Sequence, residues 1–196
     1  VAAHRWIRSA AESGLAKAQF NLAAIYLEGK GQPKDSVQAH HWFRKAAEQG
    51  DADAQYNLGL MLRDGEGTAK DEAQALQWLR RSAAQDFAPA QYRLGVIYFD
   101  GPAKDLAEAL RWFEEAAENG NAEAQYRLGF IFYFGKGSPQ DQRRALVWFQ
   151  KAAAQGVAEA RPLPGRGLEA QLRRGQRGER RQRRVVRGRR PDGRGT

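Results

Sequence analysis

The segment Ala52-Asp53-Ala54-Gln55-Tyr56-Asn57-Leu58-Gly59 decides the fold, together with Gly65-Glu66-Gly67, Ala75-Leu76-Gln77-Trp78-Leu79 and Ala83-Ala84 downstream of it. Versions of this pattern recur along the chain. The tryptophans mark the beat: Trp6, Trp42, Trp78, Trp112 and Trp148 stand 36, 36, 34 and 36 residues apart. Periods in this range are the signature of stacked supersecondary units. Each Trp is followed by a second apolar residue, Ile7, Phe43, Leu79, Phe113 or Phe149. Alanine pairs come next, at Ala10-Ala11, Ala46-Ala47, Ala83-Ala84, Ala116-Ala117 and Ala152-Ala153. Gly14, Gly50, Gly120 and Gly156 close the units, with Asp86 standing in once. The motif Ala-x-Ala-Gln-aromatic-x-Leu then opens the next one, from Ala16, Ala52, Ala88 and Ala122.

Within a unit the spacing is helical. Ala39, Trp42, Phe43, Ala46 and Ala47 fall at i, i+3, i+4, i+7 and i+8, one face of a helix. Ala18, Leu22, Ile25 and Tyr26 share a face of the other helix. Gly29-Lys30-Gly31, Gly65-Glu66-Gly67 and Gly135-Lys136-Gly137 read as joints, since glycine takes the left-handed conformation that ends a helix. Asp35-Ser36, Asp71, Asp105 and Asp141 supply acids for the start of the second helix. Each unit is thus helix A, joint, helix B and tight turn. The third unit is two residues short, in its joint. Gly59, Gly95 and Gly129 recur inside helix A at a propensity cost of about 1 kcal/mol each, which predicts close approach by a bulky Trp or Phe of a neighbouring helix.

The expected fold is all-α, an α-solenoid of antiparallel helix pairs in which stacked neighbours share one core. The expected organisation is a lone helix B over 1–14, units over 15–50, 51–86, 87–120 and 121–156, and a broken repeat with an Arg-rich tail over 157–196. A leading helix B predicts at least one helix A upstream.

The chain holds 32 basic and 23 acidic residues, a net charge of +9, but the excess is local. Arg161 to Thr196 contain 13 Arg and three acids, leaving 19 basic and 20 acidic residues in 1–160. The body is therefore near neutral. There is no cysteine, so disulfides and thiolate metal sites are excluded. No apolar run reaches the length of about eighteen residues that a membrane span needs.

The segments from Ala52 to Ala84 quoted above resemble the Sel-like repeat, a relative of the tetratricopeptide repeat, over roughly residues 1–160. The resemblance implies a right-handed superhelix, a role as scaffold or adaptor in protein complexes, and a bacterial source, in the cytoplasm or the periplasm and envelope. A cysteine-rich branch of that family uses disulfides, from which this chain departs.

Nothing in the chain reads as catalytic. His4, His40 and His41 are the only histidines. His4 and His40 are repeat equivalents, some 8–10 Å or more apart if they sit on neighbouring helix pairs, too far for one metal. The glycine joints lack the Gly-Lys-Ser/Thr ending of a phosphate loop and a preceding strand. No enzyme, metal site or cofactor is expected. The expected function is protein–protein interaction, with a peptide or protein partner held on the helix-A surface, which the tetratricopeptide-like arrangement makes concave. The candidate residues there are Tyr56, Tyr92 and Tyr126 in one row, Asn57, Arg93 and Arg127 in a second, and Phe99, Phe130 and Tyr133 toward the helix ends. Asn and Arg would hold a peptide backbone or carboxylate, and the aromatics its apolar side chains. The Tyr row alternatively serves only to pack the repeats.

The alternative partner is a nucleic acid or anionic surface, bound through the Arg-rich tail. The tail also admits another origin. Arginine codons of the CGN type, read one base later, begin GN. In that frame Pro164-Gly165 can become Leu-Gly, Val185-Val186 can become Trp-Phe, 37 residues after Trp148, and Arg189-Arg190 can become Ala-Ala. These are repeat landmarks, so the tail is expected to be a frameshifted continuation of the array, which carries no evolved function, or else a disordered basic segment.

Overall fold

The computed structural model describes residues 2–102 and 104–158. The Arg-rich tail and its expected frameshift lie outside them. Among the described residues there are nine helices and no strand: α1 (Ala2–Glu12), α2 (Ala16–Glu28), α3 (Ser36–Glu48), α4 (Ala52–Asp64), α5 (Glu72–Ala83), α6 (Ala88–Asp100), α7 (Leu106–Glu118), α8 (Ala122–Phe134) and α9 (Gln142–Ala154). Each helix packs on its neighbours in the chain, giving four A–B pairs, α2–α3 to α8–α9, behind the leading α1. The protein is an α-solenoid.

Local chemistry fixes the helix ends. Asp35, Asp71, Asp105 and Asp141 are the N-caps of the B helices, each carboxylate accepting from first-turn N–H groups at 2.9–3.0 Å. The N–H of each capping Asp also returns to helix A, donating to the carbonyls of Tyr26, Leu62, Tyr98 and Phe132 at 2.8–2.9 Å. The joint of unit 3 makes this closure too, although it is two residues short. It does so with Gly101 extended (φ −77°), where Gly29, Gly65 and Gly135 are left-handed at φ 70°, 74° and 68°.

The tight turns use the left-handed region as well. Gly14, Gly50, Gly120 and Gly156 lie at φ 87–94°, and Asp86 in the same slot is the sole non-glycine with positive φ among the described residues, at 59°. A side chain is disfavoured in that region by crowding of its Cβ. Asp86→Gly is therefore expected to raise stability by about 0.5–1 kcal/mol, read as a higher urea midpoint at unchanged slope.

The core runs the length of the stack. Phe43, Leu79 and Phe113 come from successive B helices and are essentially inaccessible. The mid-helix glycines sit opposite this row. A Cβ on Gly95 would lie 2.6 Å from the Phe113 ring, one on Gly129 2.5 Å from Phe149, and one on Gly59 2.9 Å from Leu79. The approaching side chains are Phe or Leu from helix B of the same unit, not Trp.

The alanine pair of unit 2 needs a correction. Counted from Trp78 as Ala46-Ala47 are from Trp42, the equivalent pair is Ser82-Ala83, and these two are buried while Ala84 is exposed. Ser82 satisfies its hydroxyl by donating to the Ala52 carbonyl at 2.7 Å.

Candidate functional site

Helices α2, α4, α6 and α8 each turn one stripe away from the core. The stripes begin at Lys17, Asp53, Pro89 and Glu123 and run through Asn21, Asn57, Arg93 and Arg127. They continue through Ala24, Leu60, Val96 and Phe130 and end at Glu28, Asp64, Asp100 and Phe134. The spacing i, i+4, i+7, i+11 keeps each stripe on one side of its helix. Lys17 joins two of these helices through ion pairs to Asp53 at 3.3 Å and Asp51 at 3.7 Å.

The Tyr row is half-buried and turned toward the core. Tyr92 packs on Phe113 with ring centroids 5.9 Å apart, Tyr126 on Phe149 at 5.8 Å, and Phe20 on Phe43 at 5.6 Å. Tyr56 has Leu79 where the others find Phe and packs instead on Phe87, at 5.5 Å. Phe99 also leaves the surface: it is 9% exposed and meets Phe113 at 6.1 Å. It closes the end of α6, the helix whose joint is short.

The polar row stays accessible at its edges. Asn57 Nδ2 donates to the Asp53 carbonyl at 2.8 Å, one turn back in its own helix. Arg63 clamps Asp64 with Nε and Nη2 at 2.8 and 2.9 Å. The hydrogen bonds from Arg63 hold the Asp64 carboxyl below the ordinary carboxylate range, and the charge of Arg93 adds to this. Arg93 and Arg127 form no ion pair among the described residues. The Nε of Arg93 is buried without a hydrogen-bond partner. At the end of α8, Phe130 and Phe134 meet at 4.6 Å and Tyr133 and Phe134 at 4.8 Å, with Phe134 53% exposed. Lys136 stands over the Phe130 ring at 5.1 Å.

His40 and His41 stand on α3, and His41 is exposed. His41 meets Trp42 edge-on at 5.3 Å. His40 is half-buried, and burial holds its pKa below the usual 6.5.

One set of residues was not singled out by its motif, the glutamine inside each Ala-x-Ala-Gln. Gln19, Gln55, Gln91 and Gln125 are buried. Each donates to a carbonyl in the last turn of the preceding helix B, those of Ala11, Ala47, Ala83 and Ala117, at 3.1–3.2 Å. Each also accepts from an amide just past its own helix B, from Gln49, Gln85, Asn119 or Gln155, at 2.7–2.9 Å. One side chain thus ties three helices and gives a second donor to helix-end carbonyls that already accept from the turn N–H groups of Gly14, Gly50, Asp86 and Gly120. The available signal was its register: Gln19 shares a face with the buried Ala23 and the half-buried Tyr26.

This geometry defines a solenoid of helix pairs, held by a buried aromatic row and a ladder of amides, that turns a polar and aromatic stripe outward from each helix A. The chain belongs to the Sel1 repeat family, whose repeat matches residues 1–15, 16–51, 52–87, 88–121 and 122–157. Among solved structures it is similar to a protective antigen of uropathogenic Escherichia coli strains displaying an SLR fold, with 41% identity and a TM-score of 0.76 over 80% of this chain and 34% of that one. A Sel1 repeat protein from Oxalobacter formigenes is also 41% identical, with a TM-score of 0.75 over 81% of this chain and 46% of that one. An immunity protein from Pseudomonas aeruginosa is 27% identical, with a TM-score of 0.57 over 80% of this chain and 59% of that one. The chain spans 34% and 46% of the length of the first two. No curated protein matches it significantly. Sel1 repeats generally mediate protein–protein interaction, and the family is a non-catalytic repeat scaffold. Among the described residues no helix is long and apolar enough to cross a membrane.

Proposed function

We propose that the face formed by α2, α4, α6 and α8 is the binding surface of this scaffold, and that it takes a peptide or a protein segment. The observation that carries this reading is the contrast along the stripes. Their equivalent positions differ in chemistry from unit to unit (Asn, Asn, Arg, Arg and Ala, Leu, Val, Phe), while the core positions beneath them barely change. Packing accounts for the constant positions but not for the graded ones. Asn57, Arg93 and Arg127 would fix a backbone or carboxylate, and Phe130 and Tyr133 would take apolar side chains. Tyr56, Tyr92 and Tyr126 contribute mainly by holding the helices, and Phe99 contributes from within the core.

A photo-reactive amino acid placed at Asn57 or Arg127, and in parallel at Arg44 on the opposite face, tests the assignment in bacterial cells expressing the chain. Adducts to a discrete protein are expected from the first two positions and are absent from Arg44. Adducts from Arg44 alone would move the surface to the B helices. Asn57→Ala with Arg127→Ala should abolish copurification of that protein while leaving the helical spectrum unchanged. Tyr92 is unsuitable for this purpose, because removing it strips a packing partner from Phe113.

A further inference from the structure

We propose that the partner segment recognised by units 3 and 4 is acidic and aromatic, with an Asp or Glu set two or three residues from a bulky apolar side chain; this rests on the helix-A face being the binding surface. Three observations on that face converge. First, two of its cations stand free of ion pairs in units 3 and 4, whereas Lys17 of unit 1 is paired with Asp51 and Asp53. Arg93 and Arg127 are adjacent in the stack, both half-buried, and neither forms an ion pair among the described residues. The nearby Asp64 is already engaged at both oxygens by Arg63, and the buried Nε of Arg93 lacks an acceptor. A partly desolvated guanidinium without an acceptor favours a carboxylate that brings two.

Second, the apolar sites lie on the same stripe as the cation. Arg127, Phe130 and Phe134 are at i, i+3 and i+7 of α8, so they share one side of the helix. With a rise of 1.5 Å per residue, Phe134 lies roughly 10 Å along the axis from Arg127. An extended peptide advances about 3.3 Å per residue, so about three residues reach Phe134 and about two reach the middle of the Phe130–Phe134 pair. Phe134 is 53% exposed and its ring is held by Phe130 and Tyr133, an aromatic site built by its neighbours.

Third, the other units exclude the reverse register. The position of Phe134 is Glu28, Asp64 and Asp100 in units 1 to 3, and the position of Arg127 is Asn in units 1 and 2. A carboxylate is therefore repelled from the ends of α2, α4 and α6 and drawn to the Arg pair, with its apolar neighbour falling on α8.

The test selects from a phage-displayed library of random peptides on the full chain and measures the enriched peptide, fluorescein-labelled, by anisotropy. Enriched sequences are expected to pair an acid with Phe, Tyr, Trp or Leu at the stated spacing. Arg127→Glu should weaken binding about tenfold or more and Phe134→Ala several-fold, with Arg44→Glu on the opposite face as the unchanged control. Urea midpoints of all three variants establish that folding is intact. Enriched peptides that are basic, or that lack the acid–aromatic pair, overturn the proposal. So does binding indifferent to Arg127→Glu, or a library that yields no binder. In each of these cases the broader assignment of the helix-A face still stands or falls on the crosslinking from Asn57 and Arg127. Binding lost only on Arg44→Glu overturns both.

Discussion

Phe113→Ala is expected to cost about 3–5 kcal/mol, the range for removing a fully buried aromatic side chain, and to do so from the middle of the stack. The ring is inaccessible and fills the space left by Gly95. It also supports Tyr92 at 5.9 Å and Phe99 at 6.1 Å, so truncation leaves a cavity lined by rings that cannot collapse into it. In a one-dimensional array the loss falls on unit 3 and on its coupling to units 2 and 4. Urea unfolding followed by circular dichroism should show a lower midpoint with a shallower slope, as the halves of the array begin to unfold apart. Phe149→Ala removes a ring that is only partly buried and should cost about half as much. Trp6→Ala, at 77% exposure, should be nearly silent. Equal losses at Phe113 and Trp6 would mean that the aromatic row does not organise the core.

Much of this core was legible in the sequence for a physical reason. A repeated unit prints its pattern as a period, so the Trp beat, the buried B-helix row of Phe43, Leu79 and Phe113, and the capping aspartates could be read directly, although Trp6 of the leading helix is exposed. Mid-helix glycines that recur against their own propensity demanded a close neighbour, and the neighbour is there. What escaped was whatever departs from the repeat or joins side chains of one helix to groups of another. Ser82 replaces an alanine, and the offset Ala84 disguised it. The Gln19 ladder joins each glutamine to groups eight residues before it and 28 or 30 residues after it, all on other helices or past their ends, where the periodicity of its own helix says nothing. Phe99 occupies a row with Leu27, Arg63 and Tyr133, yet it alone is buried, in the one unit whose joint is short. Arg93 and Arg127 were readable as candidates because a charged guanidinium stands where units 1 and 2 carry the neutral amides of Asn21 and Asn57.

The second large effect separates two glycines that look alike in the sequence. Gly50 and Gly67 both have positive φ, 94° and 69°. Each Ala replacement therefore carries a left-handed backbone cost of about 1–2 kcal/mol. At Gly50 nothing lies within 4 Å of the added Cβ, so the cost stops there. At Gly67 the Cβ would overlap the Ser36 carbonyl and approach the Val37 nitrogen at 2.9 Å. These are backbone atoms at the start of α3, in the preceding unit, and no rotamer change relieves them. Relief requires the joint of unit 2 to lift off unit 1, which also strains the contacts of Glu66 with Ser36 at 3.0 Å and Lys34 at 2.7 Å. Gly67→Ala is therefore expected to lose about 3 kcal/mol or more, against about 1 for Gly50→Ala, measured as urea-derived stabilities on the same chain. Comparable losses at the two sites would show that the seam between units is loose and that the second glycine of the joint serves only its own turn. A larger loss at Gly67 identifies it as a stacking residue. Unit 3 is consistent with that role: it lacks this glycine and closes its joint with Gly101 in an extended conformation instead.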